Sequence, residues 1–191
     1  MKSSLVWLVG LVVSHPAQAV GNPVERGVGV AAGIFAGIYI HELGHAAAFR
    51  AADAEEIRTR VPGSQCRLLC GQTEVKWARK PSPAEVRVIS AAGFAASNLA
   101  AELLLQHETG AKSAFGQGFV ATNLYSNLTH VVTYYTKVRG RDGYRGNDID
   151  SYELSGGNPH LLSASLIAYS LYTLRRAQKK NIPLMFVQLR F

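Results

Sequence analysis

The sequence predicts a mainly α, polytopic membrane protein with a three-helix transmembrane core, a short β-hairpin and a short C-terminal helix. Three observations carry that prediction. Charged residues make up only 17% of the 191-residue chain, against about 25% in a typical soluble domain. Three apolar stretches, residues 27–49, 86–105 and 118–135, are separated by polar segments. The basic residues behind the net charge of +7 gather at the edges of apolar segments: Arg50, Arg58 and Arg60; Lys76, Arg79 and Lys80; Lys137, Arg139, Arg141 and Arg145; Arg175, Arg176, Lys179 and Lys180. Basic flanks on apolar spans fit the positive-inside rule. Positive charge is also a nucleic-acid signature, but no aromatic-interleaved basic motif accompanies it here. The lipid bilayer is the expected partner and nucleic acid is not.

Residues 1–19 read as a secretory signal peptide. Lys2 is the charged start, residues 5–13 form a short apolar core, and Ala17-Gln18-Ala19 has the small-x-small form of a cleavage site. That apolar core is too short to span a bilayer. Residues 20–191 then form a single membrane-embedded domain. Its first stretch, 27–49, is long enough to cross as one helix, and its Gly and Ala content allows close helix packing. Residues 56–77 change character: Ile57, Thr59 and Val61 alternate, Pro62-Gly63-Ser64 turns the chain, and a second run ends at Trp77, which predicts a hairpin. Cys66 and Cys70 are too few for a disulfide framework. They read as ordinary thiols in a turn, with a local disulfide open to them only outside the cytoplasm. Residues 86–105 are the second span and 106–112 a loop. Residues 118–135 are the third span, made more polar by Asn123, Asn127 and His130. Residues 137–157 form a charged, Gly-rich segment holding Asp142, Asp148 and Asp150. Asn158-Pro159 has the form of an N-cap with Pro at the first helical position. A last helix, 161–174, follows, and the tail 182–191 reads as extended.

The chemistry sits at the end of the first span, in His41-Glu42-Leu43-Gly44-His45. Each helical residue turns the chain by about 100°, so with His41 at zero, His45 falls at about 40° and Glu42 at about 100°. Both imidazoles reach one metal ion, the arrangement that zinc takes. Glu42 stands to their side, where a general base for a metal-activated water belongs. Three ionisable groups within an apolar helix are costly unless they serve a site. A catalytic zinc site has three protein ligands and one open position, so a third ligand comes from elsewhere. Asp148 ranks first, because Ile149 and Tyr152 beside it offer apolar side chains to dock a turn against the helices. Asp150 comes next, and Asp142, His130 and Glu153 remain further candidates. Asn98, Asn123 and Asn127 read first as interhelical hydrogen-bond glue.

The His-Glu-x-x-His motif near the end of a first span, a small strand region, a Gly/Ala-rich second span and an aspartate near the end of a third resemble the site-2 protease family of intramembrane zinc metalloproteases. In that family the third ligand is an aspartate, typically within Leu-Asp-Gly. Here Asp142-Gly143 follows Arg141 instead, and Asp148 and Asp150 lie in Gly146-Asn147-Asp148-Ile149-Asp150. The resemblance implies a zinc-dependent endopeptidase acting on transmembrane or membrane-adjacent segments. Export of the signal would set a multi-pass inner-membrane topology with the site toward the cytoplasm. Two rival expectations stand beside it: a soluble or peripheral extracytoplasmic zinc peptidase, and a non-catalytic membrane scaffold that retains the zinc helix.

Overall fold

A computed structural model describes residues 22–63, 70–136 and 147–184. The chain is mostly helical, with one two-stranded antiparallel sheet. Its elements are α1 (Pro23–Ala51), β1 (Ala54–Arg60), β2 (Gln72–Trp77), α2 (Pro83–Gln106), α3 (Glu108–Lys112), α4 (Ala114–Thr136), α5 (Asp148–Leu154) and α6 (Pro159–Lys179). The signal segment 1–19, Asp142 and the basic residues from Lys137 to Arg145 lie outside the described residues, as does most of the tail.

Local chemistry starts each long helix. The Asn22 side chain accepts from Val24 N, and Pro23 occupies the first turn of α1. Ser82 and Glu85 form a reciprocal capping box ahead of α2, again with Pro in the first turn. Asn158 caps α6 through His160 N and Leu161 N, with Pro159 at its start, as the sequence predicts. α6 runs on to Lys179, beyond the predicted limit of 174, and carries Arg176 and Lys179 in its last turn, where cations suit the helix dipole.

Two helices, α1 and α2, are long and apolar enough to cross a membrane. α4 is of similar length but more polar. It packs tightly on α1 through glycines: a Cβ on Gly33 would stand 2.0 Å from Phe115 O, and one on Gly118 would stand 2.2 Å from Val30 O. Gly44 does the same between α1 and α2, where a Cβ would meet Ala92 O at 2.4 Å. Gly44 therefore serves helix packing directly beside the histidines.

The hairpin stands at the C-terminal end of α1. Thr59 faces Thr73 and Ile57 faces Val75 across it, and Trp77 packs edge-on against Phe49. Cys70 is disulfide-bonded, which corrects the reading of ordinary thiols; Cys66 lies outside the described residues. A hydrogen bond from Gly63 N to Cys70 O draws the two ends of this loop together.

Two further segments differ from the sequence reading. The predicted loop 106–112 holds the short helix α3, closed by a Glu108–Lys112 ion pair one turn apart and by Ser113. The Gly-rich segment before residue 157 yields α5, anchored by Ile149, which is fully buried. Ile149 joins Phe94, Val131, Tyr134 and Leu166 in one core cluster. A second cluster gathers Leu105, Ala111, Val120 and Ala177 with Ile182 and Leu184, so the start of the tail is docked.

Beside these apolar clusters, α4 and α6 bury polar side chains and expose large apolar ones. On α4, Asn123 and Asn127 are buried while Tyr125, Leu128 and Val132 are exposed. On α6, Ser163, Ser170 and Thr173 are buried while Leu161, Leu171 and Tyr172 are exposed.

Candidate metal centre

The centre forms where the last turns of α1 meet α2 and α5. His41, Glu42 and His45 are all buried. The ring of His45 is oriented by α2, since its Nδ1–H donates to Ile89 O at 2.8 Å. That bond orients the ring and turns Nε2 toward the site, the arrangement a metal-ligating histidine takes. His41 is held differently. Its ring packs edge-on against Phe94 and stacks on His130, while its Nδ1 is buried with no hydrogen-bond partner among the described residues. Gly93 makes room for both rings, because a Cβ there would lie 2.5 Å from His45 Nε2 and 2.6 Å from His41 Nε2.

Asp148 arrives from α5, and Asn147 places it. The Asn147 side chain accepts from Ile149 N to cap α5 and donates to His130 O at 2.7 Å and Thr133 Oγ1 at 2.8 Å on α4. One side chain thus starts the short helix and ties it to the bundle. From α2, Arg87 donates to Ser155 O just past the other end of α5.

His41 Nε2, His45 Nε2 and Asp148 Oδ2 then form a small triangle. Its edges are 3.1 Å between the histidines, 3.1 Å from His41 to Asp148 and 3.3 Å from His45 to Asp148. A tetrahedral ion with bonds of about 2.0–2.1 Å sets its ligand atoms about 3.3 Å apart, so the triangle fits the base of such a site. The donor chemistry agrees, since two imidazole nitrogens and one carboxylate oxygen suit zinc and its transition-metal neighbours. Burial works against ionising Asp148, but the imidazoles of His45 and His41 outweigh it and hold the carboxyl well below the usual carboxylate range. The Asp148 side chain is 22% exposed, against 9% for each histidine, so the centre opens on the side of Asp148.

Among the described residues these three are the group whose ligand atoms lie close enough together to hold a metal ion. Asp150 and Glu153 lie on the same short helix and do not join it. His130 comes close without joining: its Nδ1–H donates to Ser126 O at 2.8 Å, and its Nε2 lies 3.5 Å from Asp148 Oδ2. Asn98, Asn123 and Asn127 bond to one another, with Asn123 Nδ2 and Asn127 Nδ2 both donating to Asn98 Oδ1. That is the interhelical role read from the sequence.

Glu42 faces the hairpin. Thr73 Oγ1 donates to Glu42 Oε2 at 2.8 Å, and a Cβ on Gly71 would strike the Glu42 side chain at 2.1 Å. Sequence reasoning missed Thr73, Gly71, Gly93 and Asn147. For Asn147 a signal existed, since Asn immediately before Asp-Ile-Asp has the form of an N-cap. The others act through contacts across more than 25 residues of chain, with no local mark.

No family model matches the chain, and no curated protein or solved structure matches it.

The geometry predicts which substitutions remove the metal. His45→Ala and Asp148→Ala lose zinc, whereas Asp150→Ala keeps it. Asn147→Ala weakens zinc binding by about 10- to 100-fold, the usual cost of losing support behind a ligand. Metal content and competition titration of the detergent-purified chain check all four. Zinc retained in Asp148→Ala would remove that residue from the site.

Proposed function

We propose that this chain is a zinc-dependent intramembrane endopeptidase cleaving transmembrane or membrane-adjacent peptide segments. The observation that carries the reading is the convergence of His41, His45 and Asp148 at ligand spacing, directly beside a buried glutamate. A site built only to staple the fold with zinc takes four protein ligands, while a catalytic one takes three and keeps a position open. A buried glutamate adjacent in sequence to a ligand adds the general base that hydrolysis needs.

The bilayer is supported by the inside-out polarity of the bundle. Burying Asn123, Asn127, Ser163 and Thr173 while exposing Leu128, Val132, Leu161 and Leu171 is costly in water, where apolar exposure is unfavourable by about 25 cal/mol per Å². In lipid the same arrangement is favourable, because polar groups then face the bundle interior. α1 and α2 add helices of spanning length.

In the mechanism, a bound zinc ion supplies an activated water and polarises the scissile carbonyl. His41, His45 and Asp148 would hold it, with His45 kept in register by Ile89 O. Glu42 accepts the proton as the oxygen bonds to the carbonyl carbon, and returns it to the amide nitrogen as the C–N bond breaks. The burial of Glu42 keeps bulk water from competing for that proton. The hairpin is a two-stranded sheet among the described residues, a form suited to hold an unwound substrate segment by strand addition.

Glu42→Gln is expected to lower cleavage of a model transmembrane peptide by at least about 100-fold while zinc content stays at the wild-type level. Chelation is expected to abolish cleavage and added zinc to restore it. Undiminished cleavage in Glu42→Gln would remove its role. A zinc-loaded chain that cleaves nothing would favour the scaffold, and one that leaves membranes without detergent would favour the peripheral peptidase.

Basic flanks around the hairpin support a site on the cytoplasmic side. The disulfide at Cys70 favours a second reading, with the hairpin in an oxidising compartment. In a Cys66→Ser, Cys70→Ser background, an impermeant maleimide reaching Lys76→Cys only after the membrane is opened supports the cytoplasmic orientation. Labelling of intact cells supports the reverse.

A further inference from the structure

The hairpin does more than stand beside the site, because it grips the side chain of Glu42. Thr73 Oγ1 donates to Glu42 Oε2 at 2.8 Å and reaches Glu42 O at 3.2 Å. Thr59, its cross-strand partner, lies 3.2 Å from the same hydroxyl. Since the Thr73 hydrogen points to Glu42, Thr59 is the donor in that pair. A chain of hydrogen bonds therefore runs from β1 through β2 to the glutamate.

Gly71 completes the arrangement. A Cβ at that position would stand 2.1 Å from Glu42 Cγ and 2.6 Å from Glu42 Oε1. The backbone of the hairpin lies against the glutamate so closely that no side chain fits between them. One carboxylate oxygen is thus tied to Thr73, and the other lies beside Gly71. A free glutamate side chain samples many rotamers about its three torsions. Here a hydroxyl from a different element selects one of them.

We infer that Thr73 is a positioning residue for Glu42: its hydroxyl fixes the carboxylate through Oε2, in a rotamer that the close approach of Gly71 permits. This rests on the peptidase reading for its catalytic consequence, but not for the contact itself. It makes the hairpin part of the catalytic apparatus, so that anything displacing the hairpin releases the base.

The test compares Thr73→Val, which keeps the shape and removes the hydroxyl, with Thr73→Ser, which restores the hydroxyl. Both are made in the full chain, purified in detergent. Three quantities are read: zinc content, kcat and KM for a model transmembrane peptide, and the infrared carboxylate stretch of Glu42. That band is assigned in the metal-free protein by difference against Glu42→Gln. Thr73→Val is expected to keep zinc and KM, to lose about 10- to 100-fold in kcat, the range that small misplacement of a catalytic group produces, and to shift the Glu42 band. Thr73→Ser is expected to restore both kcat and the band. An unshifted band with wild-type kcat in Thr73→Val would overturn the inference. A fall in kcat that Thr73→Ser does not rescue would overturn it too, since packing alone would then explain the loss. If the wild type cleaves nothing while the band still shifts, the peptidase reading falls and the hold of Thr73 on Glu42 stands.

Discussion

Two imidazole nitrogens and a carboxylate oxygen meet within about 3.3 Å, the spacing at which one shared cation would hold them together. The rest of this structure is arranged around that meeting. His45 cannot turn its Nε2 away without losing the bond from Nδ1–H to Ile89 O. Asp148 cannot withdraw without uprooting Asn147 from α4 and Ile149 from the core. Gly93 gives up a side chain so that both rings fit above α2. The candidate ligands are thus drawn from helices more than 100 residues apart in sequence, and His45 and Asp148 are each restrained by contacts that also aim them.

On the proposed membrane reading, a second constraint is the medium. The interior of the bundle is polar at Asn98, Asn123, Asn127 and Ser170, and its exterior carries large apolar side chains on every long helix. The glycines that let α1 approach α4 and α2 within backbone contact distance belong to the same logic. In lipid there is no hydrophobic gain from pressing helices together, so close van der Waals packing and interhelical hydrogen bonds must do it. An apolar surround also strengthens every charge interaction at the centre, which suits a site that must hold a cation and a base side by side.

The parts legible in the sequence were those set by local chemistry. Helical geometry alone puts His41 and His45 on one face, and Asn158-Pro159 marks the start of α6 through its own side chain and ring. Asp148, ranked first for its apolar neighbours, is the aspartate that meets the histidines, and Ile149 is the residue that docks it. α5 itself was not foreseen, because seven residues carry too little periodicity to stand out from a Gly-rich segment. α3 is shorter still. Thr73, Gly71 and Gly93 gave no signal at all. Each acts on α1 from an element formed later in the chain, and a lone threonine or glycine reads the same whether or not a glutamate or an imidazole lies against it. The hairpin was legible as a hairpin, but not as the support of Glu42.

The most direct test of the central claim is X-ray absorption at the zinc edge of the zinc-loaded, detergent-purified chain. The account predicts one ion per chain with two imidazoles and oxygen ligands at about 2.0–2.1 Å, and no scattering from sulfur at about 2.3 Å. A first shell with sulfur, a shell of imidazoles without the carboxylate oxygen, or a chain that takes up no zinc would contradict it.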